Sequence, residues 1–577
     1  MHLMRSVRSS VPHGAARAGP AATPASKPPA ASDPGDEARP ARILAPRRWD
    51  APRAARLAAA LLGLAAIATY LVTALFRLTY PFPLEYLESN SLVEVQRILT
   101  GHALYAAPTV GYVPDGYPPL YFATSAAAAG MLGLSYLPLR LVSLVSSLVC
   151  FAVLTRLVQR ETASTAAGIM AAGLLAATYF VTDTWFDVAR VDSLFIALSV
   201  AALYTARRMR RTRGAVATGL LFAAAFLTKQ SGLAEGVAVL TVLAFGPRRR
   251  LAWLAALTYG AVLGISTLAL GLTSCGWYVY YVFLLLSEHT LRYWTVHLLP
   301  MLGIACGAMV LGVRRAPPVL AAGCAALVVE SYATQVHSGG GVNDLLPAYL
   351  AVALLAGLAI GGHPGGLVSF CADRPARSRI ASWRAGLTGR RGAAAVAALV
   401  IAQLAVLVNG FRASQTIPTN ADRAVGWRLT SGMRALGGTI AVPSDPGLDL
   451  LAGLPAVAHQ GATDDVLRAS DPAVIASFRS SAARAVATLR FSAIVTENAG
   501  SPDGFPPDLA RYYRRCPQTL LPGVPHAVFQ PVAGPPGRPV YVWLPAGASC
   551  AATVRRLNAA TAGAPTGRQR HPSRSGG

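Results

Sequence analysis

Charge is the scarcest feature of this chain. Asp, Glu, Lys and Arg make up 13% of its 577 residues, against about 25% in globular domains. That deficit excludes an ordinary soluble protein. Lysine is almost missing: Lys27 and Lys229 are the only two, so nearly every basic residue is arginine. The seven cysteines lack metal-ligand spacing, which excludes a zinc module and a dense disulfide scaffold. No internal repeat is visible, and repeats with broken helices are the mark of transporters and flippases. The glycine-rich run Gly339-Gly340-Gly341 lacks the Gly-Lys-Ser/Thr ending of a nucleotide loop.

Hydrophobic residues, 53% of the chain, fill the gap, and they come in long runs. A net charge of +25 would suggest nucleic acid in a soluble protein. Here the arginines sit in short clusters between apolar runs, the pattern of cytoplasmic loops in a polytopic membrane protein. The expected partner is a bilayer, with no nucleic acid.

The first run, Leu57 to Leu78, is preceded by Arg47, Arg48, Arg53 and Arg56, which keeps the N-terminus cytoplasmic. Ten more follow: Leu137–Val158, Thr162–Thr182, Val191–Ala206, Gly214–Thr228, Ser231–Phe245, Leu251–Thr273, His297–Val313, Pro318–Thr334, Leu345–Ile360 and Gly392–Val408. The basic loops at Arg207–Arg211, Arg248–Arg250, Arg314–Arg315 and Arg374–Arg391 fix their alternation. Pro118 to Tyr136 is apolar, but both its ends then fall outside, so it reads as a juxtamembrane or re-entrant helix. The fold class expected is an α-helical polytopic membrane protein of about eleven spans, by the length rule, with a juxtamembrane helix and a small C-terminal α/β domain.

The domain boundaries follow from composition. Residues 1–56 read as a disordered basic tail and 57–410 as the transmembrane domain. Residues 411–555 read as an extracytoplasmic α/β domain, with strands at Thr439–Val442, Ala493–Thr496 and Val540–Leu544 and a helix over Asp471–Leu489. Cys516 and Cys550 lie in that domain, in a setting that allows them to pair. Residues 556–577 read as a disordered tail. The localisation expected is a bacterial cell membrane, with the C-terminal domain extracytoplasmic.

Acidic residues are the informative ones in such a chain. The first outer loop carries Glu85, Glu88, Glu94 and Asp115, and Ser89 to Leu99 reads as an amphipathic helix ending at Gly101. Glu88, just before that helix, suits either N-terminal capping or catalysis. The second outer turn holds Asp183, Asp187, Arg190 and Asp192, and charges at membrane depth are more often functional than charges elsewhere. Lys229 lies on the outer side of a chain that avoids lysine, where an ammonium suits either a phosphate or snorkelling to headgroups. The loop Cys275–Val296 is aromatic and carries Glu288, His289 and Arg292. No motif demands a cofactor, and whether a divalent metal is needed stays open.

The order of these pieces resembles the GT-C superfamily of polytopic glycosyltransferases, in its bacterial branch related to protein mannosyltransferases and aminoarabinose transferases. The matching pieces are Leu84-Glu85-Tyr86-Leu87-Glu88, Arg97 to Gly101 with Tyr105, Tyr117-Pro118-Pro119-Leu120-Tyr121-Phe122 and Leu139-Arg140-Leu141-Val142-Ser143. They continue with Ala189-Arg190-Val191-Asp192, Leu227-Thr228-Lys229-Gln230, and Gly340 to Asn343 leading into Leu346-Pro347-Ala348. The resemblance covers roughly Leu57 to Ile360 and implies inverting transfer of a sugar from a polyprenyl-phosphate donor to a lipid, glycan or protein acceptor. It implies that a first-loop carboxylate is the general base, with Glu88 favoured over Glu85 by its spacing to Gly101. The usual adjacent Asp-Glu pair is here two glutamates three residues apart. Asp192 is the third candidate carboxylate, and Lys229, Arg190, Gln230, Tyr117, Asn343 and Arg292 are the candidate substrate-binding residues.

Overall fold

The computed structural model describes residues 51–288, 298–361, 390–410, 413–500 and 504–559. The tails before Ala51 and after Ala559, most of the basic segment Arg374–Arg391, and Arg292 with its neighbours lie outside the described residues. Each of the eleven apolar runs is a helix. They are α1 (Ala51–Leu78), α4 (Tyr136–Thr162), α5 (Thr165–Ala177), α6 (Asp192–Arg208), α7 (Thr212–Thr228), α8 (Gly232–Ala244), α9 (Arg249–Thr273), α10 (Leu298–Arg315), α11 (Pro318–Gln335), α12 (Leu346–Gly361) and α13 (Arg390–Asn409). Two further helices, α2 (Glu88–Leu99) and α3 (Leu120–Leu132), lie between α1 and α4. Four of the helical stretches, Arg53–Leu78, Tyr136–Thr162, Arg249–Thr273 and Val342–Gly361, are long and apolar enough to cross a membrane on those grounds alone. The chain is a multi-pass membrane protein.

The apolar pattern explains how these helices pack. α12 is apolar all round and almost wholly buried, so it forms the centre of the bundle. α9 leaves Trp253, Leu257, Ile265, Leu268 and Leu272 exposed, as a helix at the lipid boundary does. Without a hydrophobic drive between helices in lipid, close backbone approach matters. α1 and α5 meet at Gly63 and Gly173, where a Cβ on Gly173 would fall 2.0 Å from the Gly63 Cα. Any larger residue at 173 would force the two helices apart.

The apolar stretch Pro118–Tyr136 resolves into α3, which stops at Gly133 before α4 begins. Thirteen residues reach about 20 Å, short of the ~30 Å hydrocarbon core. α3 is thus a separate short helix, as α5 and α8 are at the same length.

Beyond residue 412 lies a mixed sheet of β1 (Ile440–Ala441), β2 (Ala493–Thr496), β3 (Tyr513–Arg515) and β4 (Tyr541–Pro545), ordered β1-β2-β4-β3. β1 and β2 run parallel; β4 runs antiparallel to both β2 and β3. β2 is buried on both faces, as its unbroken Ala-Ile-Val-Thr run implies. β3, with two of its three residues exposed, carries no apolar alternation, and this is why the sequence hid it. The helix expected over Asp471–Leu489 spans Pro472–Ala487, and the Asp471 carboxylate accepts the N–H groups of Ala473 and Val474. The last helix, Cys550–Ala559, runs past residue 555, where the tail was expected to begin.

Cys516 and Cys550 form a disulfide that closes a loop of 34 residues and ties β3 to the last helix. A crosslink over that length stabilises by about 3–4 kcal/mol on chain-entropy grounds. Cys516→Ser with Cys550→Ser is therefore expected to lower the thermal midpoint of the purified protein. An unchanged midpoint would mean the sheet and its helix are held without the crosslink.

Candidate active site

The loop between α1 and α2 is anchored by a buried ion pair. Arg140 projects from α4 with no exposed surface. Its guanidinium donates to Glu88 Oε1 at 2.9 Å and Oε2 at 2.6 Å, and to the carbonyls of Tyr80 at 2.5 Å and Phe82 at 2.6 Å. Glu88 also accepts the N–H of Leu84 at 2.6 Å and of Ala189 at 2.5 Å. Burial would raise its pKa, but Arg140 and the two backbone donors outweigh that and hold it below the usual carboxylate range. Glu88 opens α2 without capping it; its carboxylate instead ties the loop to α4 and to the turn before α6. Next to it Arg77 pairs with Asp187 at 3.2 Å, and both bond the Tyr179 hydroxyl.

Glu85 is held far more loosely. Its Oε2 accepts the Leu87 N–H at 2.9 Å and lies 3.9 Å from Arg190 Nε. Its Oε1 faces Gly534, where a Cβ would lie 3.2 Å away. Gly534 has φ +75°, a left-handed conformation open to glycine, and its N–H donates to Asp183. Burial pushes the Glu85 carboxyl up to about 8, with Arg190 pulling against it. Arg190 meanwhile bonds Asp115 at 3.2 Å and lies 5.3 Å over the Tyr117 ring. Asp115 accepts from Asn90 at 2.6 Å, and its own N–H donates to Glu94 at 2.5 Å.

A second cluster adjoins the first through Arg190-Val191-Asp192. Lys229 is 4% exposed, so its ammonium does not snorkel. It lies 2.9 Å from Asp192 and 3.0 Å from Asp344. Burial lowers the pKa of Lys229, but those two carboxylates more than reverse it and hold it well above its ordinary value. Asp192 also accepts from Trp185 at 2.8 Å and Asn343 at 3.3 Å. Gln230 donates to the Gly116 carbonyl at 2.7 Å, beside Tyr117.

Glu85, Arg190, Tyr117, Asp192, Lys229, Gln230 and Asn343 therefore converge on one site, with Glu88 directly behind it. Arg292 lies outside the described residues. Arg140 and Asp344 join the networks without having been singled out, and Glu94 and Asp115, noted in the acidic loop, had been given no role. An arginine inside an otherwise apolar run was the available signal for Arg140; Asp344 had only its place beside Asn343. Four carboxyls, Glu85, Asp115, Asp192 and Asp344, share Arg190 and Lys229, and Glu94 joins them by accepting the Asp115 N–H. That surplus of acid in a dry site favours proton retention, and burial raises the pKa of Glu94 and Asp115 as well as that of Glu85. Among the described residues, no three His, Cys, Asp or Glu side chains are placed to hold a metal ion.

The comparisons agree with this architecture. The family model for dolichyl-phosphate-mannose-protein mannosyltransferase matches residues 117–277, a stretch that holds Tyr117, Arg140, Arg190, Asp192, Lys229 and Gln230 but neither first-loop glutamate. The fold is similar to that of ArnT from Cupriavidus metallidurans bound to undecaprenyl phosphate. That match has TM-score 0.52 and 15% identity, and covers 84% of this chain and 98% of ArnT. The apo state of the same enzyme matches with TM-score 0.51 and 15% identity, covering 83% and 97%. No curated protein matches in sequence. The chain thus shares the fold of ArnT, and its stretch 117–277 matches the mannosyltransferase family model.

Proposed function

We propose that the chain moves a sugar from a polyprenyl-phosphate donor to an acceptor hydroxyl outside the cell membrane, with inversion at the anomeric carbon. The observation that carries this reading is the convergence of the loosely held Glu85 carboxyl with the buried cations Arg190 and Lys229 beneath the first loop. Glu85, rather than Glu88, is the better general base. All its neighbours leave Oε1 facing the Gly534 loop, and its pKa near 8 suits proton transfer close to neutral pH. Glu88 is saturated by Arg140 and two backbone donors. In this mechanism Glu85 takes the acceptor proton as the oxygen attacks. Arg190 and Lys229 stabilise the phosphate charge that develops as the donor bond breaks, and Asp192, Asp344 and Asn343 hold Lys229 in position.

Two features support an outward-facing site. α6 begins at Asp192 and ends at Arg207 and Arg208, which pair with Glu161 at 3.0 and 3.3 Å. The ends of that helix lie about 24 Å apart, so the arginine-rich end falls on the side that basic loops mark as cytoplasmic. The Cys516–Cys550 crosslink belongs to the segment packed on the other end, and such bonds persist in oxidising compartments.

Donor binding tests the assignment of the cations. Lys229→Gln is expected to weaken binding of a labelled polyprenyl phosphate by about tenfold or more, the scale of one charge-assisted contact. Arg207→Gln, at the opposite end of α6, is expected to leave it unchanged. Equal binding by both variants and the parent protein would remove Lys229 from the donor site.

A further inference from the structure

The carboxyl read as the base is shut in. Glu85 is 1% exposed, and a general base must come within about 3 Å of the hydroxyl it deprotonates. The residue standing over its Oε1 is Gly534, in the segment 530–537 far along the chain. The loop side of this contact is fixed. Arg140 holds it through Glu88. His459 holds it at Tyr86: its Nδ1 accepts the Gly461 N–H at 2.9 Å, so Nε2 carries the proton and donates to the Tyr86 carbonyl at 3.0 Å.

The covering segment is built differently. Residues 516–540 contain no helix or strand, and Pro531, Pro535 and Pro536 lack the N–H that a ladder would use. Gln530 Oε1 accepts the Gly537 N–H at 3.1 Å, which closes the segment on itself as one piece. Both its ends are fastened. Phe529 donates its N–H to Asp422 at 2.5 Å, and the Arg538 guanidinium donates to the carbonyls of Pro525 at 2.6 Å, Val528 at 3.2 Å and Val524 at 3.3 Å. Between those ends, Val532 and Ala533 donate to the Leu84 carbonyl at 2.9 Å, and Gly534 donates to the Asp183 carboxylate. Strain is gathered at the same places. Asp183 (φ +52°), Thr184 (φ +59°) and Phe529 (φ +63°) are left-handed without being glycine. For a β-branched or bulky side chain that is an outlier, and such strain collects at switch regions, where the surroundings hold it in place. Gly534, Pro535 and Pro536 are exposed to solvent, so this part of the segment can lift without pushing into packed structure.

We propose that residues 530–537 form a flap over Glu85, hinged at Phe529 and latched by Asp183, that lifts to admit the acceptor and closes again to keep the base dry. Asp183 is a positioning residue in this account. It acts through Gly534, and its carboxylate sets how much of the time the flap stays shut. Closure serves the chemistry, because expelling water strengthens the charge interactions inside a site. The purpose of the flap rests on the reading of Glu85 as the base, but its motion is measurable without turnover.

The test uses the full chain in lipid nanodiscs. A Cβ on Gly534 would lie 3.4 Å from the Tyr86 Cβ, close to the ~3.8 Å of a disulfide, so Tyr86→Cys with Gly534→Cys can lock the flap shut on oxidation. Two signals are compared in the oxidised and reduced protein. One is labelling of Glu85 by a water-soluble carbodiimide with glycinamide, located by mass spectrometry; the other is sugar transfer. The crosslinked fraction is expected to lose both and to recover both on reduction, while neither single-cysteine variant responds to reduction. Asp183→Ala needs no new cysteine. It is expected to speed hydrogen exchange at residues 532–534 and labelling of Glu85 about tenfold, the scale of one hydrogen bond to a charged group. Asp183→Asn, whose amide oxygen still accepts the Gly534 N–H, is expected to stay nearer the parent. Equal labelling of Glu85 in oxidised and reduced protein, transfer undiminished by the crosslink, or exchange and labelling unchanged in Asp183→Ala would overturn the flap. Loss of labelling on oxidation, in a protein whose parent transfers sugar from no polyprenyl-phosphate donor, would refute the transferase reading and leave the flap standing.

Discussion

Glu85→Gln is expected to fold, insert and bind donor lipid as the parent protein does, while transfer falls by about 10²–10⁴-fold, the range of general-base contributions. The substitution keeps the shape of the side chain and its bond to the Leu87 N–H, but the amide cannot take a proton. The pH profile gives a second and sharper sign. A carboxyl raised to about 8 is mostly protonated at neutral pH, so transfer by the parent should climb as pH rises through that value. The variant should lose this limb and run flat at its low rate. The same shift bears on stability. The folded state holds a proton that the unfolded chain releases at its ordinary carboxylate pKa, so the contribution of Glu85 to stability is greatest at low pH and declines between about 4.5 and 8. Full activity in Glu85→Gln, with an unchanged pH profile, would exclude it as the base.

The second large effect belongs to Glu88 and Arg140, and it is one of stability. Arg140→Met leaves the Glu88 carboxylate buried with only two backbone donors. Removing one partner of a buried pair costs about 3–5 kcal/mol, so the thermal midpoint should drop sharply and the first loop should become open to protease. Adding Glu88→Gln to Arg140→Met removes the stranded charge and should recover part of the loss. Such non-additivity is the signature of direct coupling. Glu88→Gln alone should therefore lower stability while the surviving folded protein still transfers sugar. If Glu88→Gln instead keeps its midpoint and loses transfer by about 10²-fold or more, the base lies three residues downstream of Glu85 and the spacing to Gly101 was the better guide.

These two predictions turn on a distinction that the sequence did not contain. Both glutamates sit in the same acidic loop, and helix-start position or spacing favours Glu88. What separates them is a residue 52 positions away, Arg140, and a loop far along the chain, at Gly534. Contacts at such separation leave no local periodicity. The eleven helices, by contrast, were legible because lipid requires each to satisfy its own backbone along a continuous apolar run. Loop charge parity set the run Pro118–Tyr136 apart from the others, and α3 within it is a short helix. Asp192, Lys229 and Asn343 were legible as oddities of charge, but their mutual pairing through Asp344 was not. The strand Tyr513–Arg515 was missed because its outward residues are arginines at a sheet edge, with no hydrophobic alternation to mark it. The way residues 530–537 close over Glu85 left no trace in composition, which showed only a change of texture after Gly410.

The transfer reaction itself is tested most directly by mass spectrometry of lipid-linked sugars and envelope glycans in cells lacking this chain. The account predicts accumulation of one polyprenyl-phosphate sugar together with loss of one glycan decoration, both reversed by the parent gene and neither by Glu85→Gln. Unchanged polyprenyl-phosphate sugars, with every decoration intact, would contradict it.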